Sequence, residues 1–303
     1  MNFTNGLLAL LGKDVSHDDR GMDARLHFFG SIPSEDGCAA NENAQPAVAV
    51  PLSPKVVALV SINGGVGRST LVTALSSGLQ RQGESVVALD LDPQNALHHH
   101  FGVSSTSPGI GRTSLENGQW SPLQQLSFAG CQVITFGDID LPQQENLERW
   151  LKHEPRWLAQ HLASLGLSAR QTVIIDTPAG NNVFFHQALS VADVVLVIVQ
   201  ADAACLGTLD HLDALLAPHL GGEHPPCVHV VINQVDERNA FSLDMVEAFK
   251  QRLGKEVLQV HRDMAINEAL AFGVDPLDSV AQRLAGDDIN ELCQLLKVPK
   301  ARA

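Results

Sequence analysis

The stretch that decides the fold runs from residue 56 to residue 70, VVALVSINGGVGRST. Residues 56–62 are apolar except for Ser61 and rich in valine, as expected of a strand covered on both faces. Asn63, Gly64, Gly65, Val66, Gly67, Arg68, Ser69 and Thr70 then form a glycine-rich turn that opens into a helix over 71–82. A turn between a buried strand and a helix aims several backbone N–H groups at one point, and the helix start adds partial positive charge. Gly64, Gly65 and Gly67 permit positive φ and close backbone approach, Arg68 gives cationic reach to outer phosphates, and Ser69 offers a hydroxyl to Mg²⁺. The loop therefore reads as a phosphate cradle.

Outward from this loop the same rhythm repeats. Apolar runs at 56–62, 85–92, 131–137, 172–178, 193–200, 227–234 and 257–263 read as strands. Helix-length segments lie at 71–82, about 143–165, 181–191, 206–217, 240–253 and 265–272. Strand-then-helix alternation predicts an α/β fold with a doubly wound, mainly parallel sheet, in which ligands bind at the carboxyl ends of the strands. Two acidic strand ends fit that edge. Asp90 and Asp92 lie in LDLDPQN (89–95), and Asp176 closes IID in TVIIDTPAG (172–180), a carboxylate held by an inner strand near a metal-bound phosphate.

Composition narrows the functional classes. Of 303 residues, 45% are hydrophobic and 18% charged, which excludes wholesale disorder and coiled coil. With 20 Lys and Arg against 34 Asp and Glu the net charge is −14, a poor basis for gripping phosphate backbones, so no nucleic-acid partner is expected. The apolar run at 7–11 is far shorter than the roughly 20 residues of a bilayer crossing, so no membrane span is expected. Five cysteines, Cys38, Cys131, Cys205, Cys227 and Cys293, are scattered without a C-x-x-C pair, which suits a reduced, cytoplasmic protein. Residues 1–50 read as an N-terminal extension and linker, ending in the tether-like NENAQPAVAVPLSP (41–54), with 51–303 as the nucleotide-binding domain. Leu7, Leu8, Leu10 and Leu11 would make the extension's apolar side.

The glycine loop, LDLDPQN (89–95), IIDTPAG (174–180) and VINQVD (231–236) resemble, in order and spacing, the deviant Walker P-loop ATPases related to ParA and MinD. FGDIDLPQQEN (136–146), DAACL (202–206) and HRDMAINEALAFGVDP (261–276) resemble the BcsQ (YhjQ) family within that superfamily, the MinD-like proteins of bacterial cellulose-synthesis operons. The resemblance implies ATP or ADP with Mg²⁺ as cofactors and a homodimer with nucleotide at the interface. It implies cellulose synthase subunits at the inner membrane as partners, with the chain peripheral there through them. By resemblance Asp92 orients the attacking water, Asp176 stands by Mg²⁺ with Ser69, and Asn233 reads adenine. A partition ATPase, a small-molecule ligase or kinase, and a P-loop scaffold without turnover remain the alternatives.

Two departures bear on turnover. The signature lysine before the first glycine is replaced by Asn63, and the loop lysine by Arg68, a planar fork in place of a compact ammonium. Binding is expected to survive while hydrolysis is weak or absent. Three further features carry less. His98, His99 and His100 fall about 100° apart on a helix and do not converge on a metal. Trp150 and Trp157 read as core, with Pro155 splitting their helix, and His261-Arg262-Asp263 as structural or at the nucleotide's edge.

Overall fold

The computed structural model describes residues 53–104, 108–254 and 257–297. The extension expected over 1–50 lies outside the described residues. Each predicted apolar run contains a strand: β1 (Lys55–Val60), β2 (Ser85–Asp90), β4 (Gln132–Ile134), β5 (Gln171–Asp176), β6 (Val194–Gln200), β7 (Cys227–Val235) and β8 (Leu258–His261). A two-residue strand, β3 (Gln125–Leu126), adds an antiparallel edge. The single sheet runs β3-β4-β2-β5-β1-β6-β7-β8, and every pairing but β3–β4 is parallel. Beyond their first residues, β1, β2 and β5 are buried throughout, which explains their unalternating apolar sequence. Each valine or leucine so covered contributes about 1.5–3 kcal/mol.

Twelve α-helices cover this sheet among the described residues: α1 (Arg68–Arg81), α2 (Leu97–His100), α3 (Ile110–Leu115), α4 (Leu141–Leu151), α5 (Trp157–Ser164), α6 (Val183–Leu189), α7 (Ala203–Gly207), α8 (Leu209–Leu220), α9 (Ala240–Leu253), α10 (Met264–Ala271), α11 (Pro276–Val280) and α12 (Leu284–Leu296). The segment read as one helix over 143–165 is two. Asp140 and Gln143 form a capping box that starts α4, and Pro155 lies in the break before α5. The segment at 206–217 also resolves into two, with Asp202 capping α7 and α8 following at Leu209.

Helix α12 was not expected from the sequence. Ala285, Ile289, Leu292, Cys293 and Leu296 bury its apolar stripe against α1, and Gly78 of α1 makes the close approach possible. A Cβ there would come within 2.6 Å of Cys293 Sγ.

The parallel registers carry function to one edge. Asp176 is the partner of both Leu59 on β1 and Asp90 on β2, and Gln200 on β6 is the partner of Asn233 on β7. Strand β1 lies between β5 and β6, where the winding reverses, so the loop after β1 opens at the switch point of the sheet.

Candidate functional site

The loop expected to cradle phosphate is built as a tight strand-to-helix turn. Gly65 has φ +75° and Gly67 φ +89°, left-handed values that side chains other than glycine's adopt at a cost. Gly67 meets a second constraint, because a Cβ on it would fall on the Asn233 amide nitrogen. Val66 is buried and anchors the turn, while Gly64 and Gly65 are exposed. No side chain caps the start of α1, so its first N–H groups face the loop's opening, whereas Asp140, Asn182, Asp202, Asn239, Asp263 and Asp275 cap other helices.

Three side chains brace the loop from the ends of β6 and β7. Asn233 Nδ2 donates to the Val66 carbonyl at 2.8 Å, and Gln200 and Gln234 each donate through Nε2 to the Gly65 carbonyl at 3.3 Å. Asn233 is thus fixed against the loop in this structure, at 4% exposure. Gln200 and Gln234 were not singled out by sequence reasoning. Their signal is a polar residue at the carboxyl end of a strand that is otherwise nearly all apolar.

Arg68 opens α1 and turns inward. Its side chain is 8% exposed, and its guanidinium donates from Nη1 to Ser61 Oγ and lies 3.7 Å from Asp92 Oδ2 and 3.9 Å from Asp176 Oδ1. Opposite charges about 4 Å apart attract by about 4 kcal/mol at an effective dielectric of 20, before desolvation is subtracted. The carboxylates therefore hold the arginine although its position in the first helical turn is electrostatically unfavourable. Ser61, fully buried and itself donating to the Asn63 carbonyl at 2.7 Å, is a third residue that sequence reasoning passed over.

Asp176 is fully buried, and neither of its carboxylate oxygens has a hydrogen-bond partner of normal geometry. Burial pushes its pKa up to about 6, with the neighbouring Ser69 hydroxyl and Arg68 pulling it down and Asp92 pushing it up. Asp90, its register partner, is raised well above the usual carboxylate range by burial first and by the Asp176 charge second. Asp90 organises the next loop, its two oxygens accepting from the N–H groups of Asp92 at 2.9 Å and Leu97 at 3.1 Å. Asp92, just beyond the strand, accepts from the Gln94 N–H at 2.9 Å and faces Arg68. Asn95 ties this loop to the FGD segment by accepting from the Gly137 N–H at 3.0 Å.

Ser69 and Thr70 are half-buried on the first turn of α1. Asn63 is tied within its own chain, its Oδ1 accepting from Thr208 Oγ1 at 3.0 Å. The sequence-predicted residues thus gather at the carboxyl ends of β1, β2, β5 and β7, with Asn63 bonded to Thr208 and Asn233 to the Val66 carbonyl. The buried Asp176 carboxylate, whose oxygens lack a hydrogen bond of normal geometry, the uncapped start of α1 and the Ser69 hydroxyl fit a magnesium-bound phosphate in donor chemistry. Among the described residues His98, His99 and His100 form no metal cluster, and no helix is long and apolar enough to cross a membrane. In the HRD triplet, His261 bonds Asp288 at 2.8 Å while Asp263 caps α10 and pairs with Arg283 at 2.9 Å.

The parallel sheet, the glycine loop at its switch point and the aspartates of β2 and β5 define a P-loop protein of the ParA and MinD type. The septum site-determining protein MinD of Pyrococcus horikoshii has this fold, with a TM-score of 0.67 at 18% identity over 80% of this chain and 96% of that one. The profile of the cellulose biosynthesis protein BcsQ family matches residues 54–295. The BcsQ of Escherichia coli (strain K12) is 31% identical over 237 residues, covering 77% of this chain and 90% of that protein. The chromosome partitioning protein ParA of Caulobacter vibrioides (strain NA1000 / CB15N) is 28% identical over 235 residues, covering 72% of this chain and 85% of its own length. The chain belongs to the BcsQ family, within the ParA and MinD superfamily.

Proposed function

We propose that this chain is a nucleotide-dependent switch protein that binds ATP or ADP with Mg²⁺ and dimerises across the nucleotide. It would serve assembly, positioning or activation of a cellulose synthase at the inner membrane from the cytoplasm. The observation that carries the reading is Asp176, a fully buried carboxylate without a hydrogen bond of normal geometry, its charge met by the Arg68 guanidinium 3.9 Å away. An ionised group so placed is costly without a ligand to receive it. The Pyrococcus MinD was solved complexed with Mg-ADP, and the E. coli relative is a cellulose biosynthesis protein, which support the cofactor and the pathway.

On this reading the N–H groups of Gly64–Ser69 receive the phosphates, Ser69 and Asp176 hold the metal, and Asp92 orients water. Asn233 would read the base by exchanging its bond to the Val66 carbonyl for one to adenine. The metal neutralises charge on the phosphate oxygens. Asn63 stands in the position facing a second subunit. Its amide carries no charge across the interface, so nucleotide and dimerisation are linked more weakly than a lysine would link them.

Sedimentation velocity of the full chain with ATP and with ADP tests the switch, and Asn63→Lys is expected to tighten the ATP-dependent dimer. The same assembly state in both nucleotides for both proteins would favour a scaffold without turnover. The likeness to partition ATPases raises a second reading. It predicts micromolar binding of random duplex DNA that weakens steeply with salt, whereas the −14 charge predicts none.

A further inference from the structure

The arginine that takes the place of the loop lysine has its charge committed elsewhere. Arg68 reaches both aspartates assigned above to metal and water, and its close hydrogen bond goes to Ser61 rather than to either carboxylate. Arg68 Nε and both oxygens of Asp176 lack a hydrogen bond of normal geometry, so the guanidinium neutralises these carboxylates without saturating them. Such a contact is held by charge and is open to exchange.

A divalent cation seeks the same carboxylate oxygens, and two cations so close would repel. Phosphate oxygens, for their part, offer a guanidinium the bidentate, charge-assisted bonds that Asp92 and Asp176 do not provide here. We propose that Arg68 is a resident cation that occupies the metal carboxylates until a phosphate-bearing ligand draws it out, so that divalent-metal binding is conditional on nucleotide. The proposal rests on the nucleotide reading of the site and adds an order of events to it. Phosphate engages Arg68, Asp176 is released, and metal follows. Ser61 is the positioning residue, because its hydroxyl anchors the guanidinium on the carboxylate side.

The test is Mn²⁺ titration of the full chain without nucleotide, read by electron paramagnetic resonance of free Mn²⁺. Arg68→Ala is expected to bind Mn²⁺ about tenfold more tightly than wild type or better, and Arg68→Ala with Asp176→Asn to lose that gain. Ser61→Ala, which keeps every charge and removes the anchor together with the Ser61 bond to the Asn63 carbonyl, is expected to gain about two- to threefold. It decides the matter should Arg68→Ala fail to fold. No gain in the folded variants, or a gain that survives Asp176→Asn, overturns the proposal. A fluorescent ATP analogue titrated into the same wild-type preparation separates the two readings. Its failure to bind would sink the nucleotide site and leave the Mn²⁺ result standing on its own.

Discussion

Helix α1 carries an arginine at each end, and each faces two aspartates. Arg81, in the last turn, bonds Ser77 at 3.2 Å and Asp275 at 3.1 Å through Nε, and reaches Asp275 and Asp278 through Nη2. Asp275 in turn accepts from Ser77 Oγ at 2.6 Å and caps α11 through the Leu277 N–H at 3.0 Å. Arg81 is 37% exposed, sits at the favourable end of the helix dipole, and its partners are saturated. Arg68 sits at the unfavourable end, is 8% exposed, and leaves Nε and both oxygens of Asp176 without hydrogen bonds of normal geometry. The two clusters share residue types and differ in satisfaction. The saturated cluster clamps α1 to the C-terminal elements, and the unsaturated one is poised for a ligand.

The sharpest way to break that comparison is to cut the clamp. Asp275→Ala removes a buried acceptor for Arg81 and Ser77 together with the cap of α11, and should cost about 2–4 kcal/mol of stability by urea denaturation. Its nucleotide affinity should match wild type. At the other end, Arg68→Ala should cost about 1.5–3 kcal/mol of ATP binding by titration calorimetry, the worth of a hydrogen bond to a charged group. A large stability loss without an affinity loss would make Arg68 a second clamp.

A pH series separates the clusters further. Asp176 has its pKa raised from 3.8 to about 6 by burial, so the folded state holds this proton more tightly than the unfolded chain. Its contribution to stability is therefore full below the unfolded value of 3.8 and lost as pH rises through about 6. Relative to Asp176→Asn, the wild type should lose roughly 1–3 kcal/mol across that window, with Asp90 acting in the same direction. Identical pH profiles would refute the burial argument. The smallest effect is expected at Asn63, where Asn63→Ala removes one bond to Thr208 and should cost about 1 kcal/mol.

The glycine loop, the inner strands and the aspartates were legible because their signals are local: three glycines between a valine run and a helix, and carboxylates closing apolar runs. Ser61, Gln200 and Gln234 were not legible, since their role depends on which strand ends the sheet brings beside the loop. The inward turn of Arg68 was equally hidden, because it depends on Asp92 and Asp176, which follow it by 24 and 108 residues. Helix α12 carries the helical apolar spacing at Ala285, Ile289, Leu292, Cys293 and Leu296 and was legible although passed over, whereas its close approach to Gly78, more than 200 residues earlier, was not.

The central claim is that the unsaturated cluster binds a magnesium nucleotide. Titration calorimetry of ATP into the full chain, with and without Mg²⁺, on wild type and Asp176→Ala tests it most directly. Wild type should bind more tightly with the metal, and Asp176→Ala should lose that enhancement while keeping its metal-free affinity within a few-fold. Equal affinity in both proteins, with and without Mg²⁺, would contradict the account.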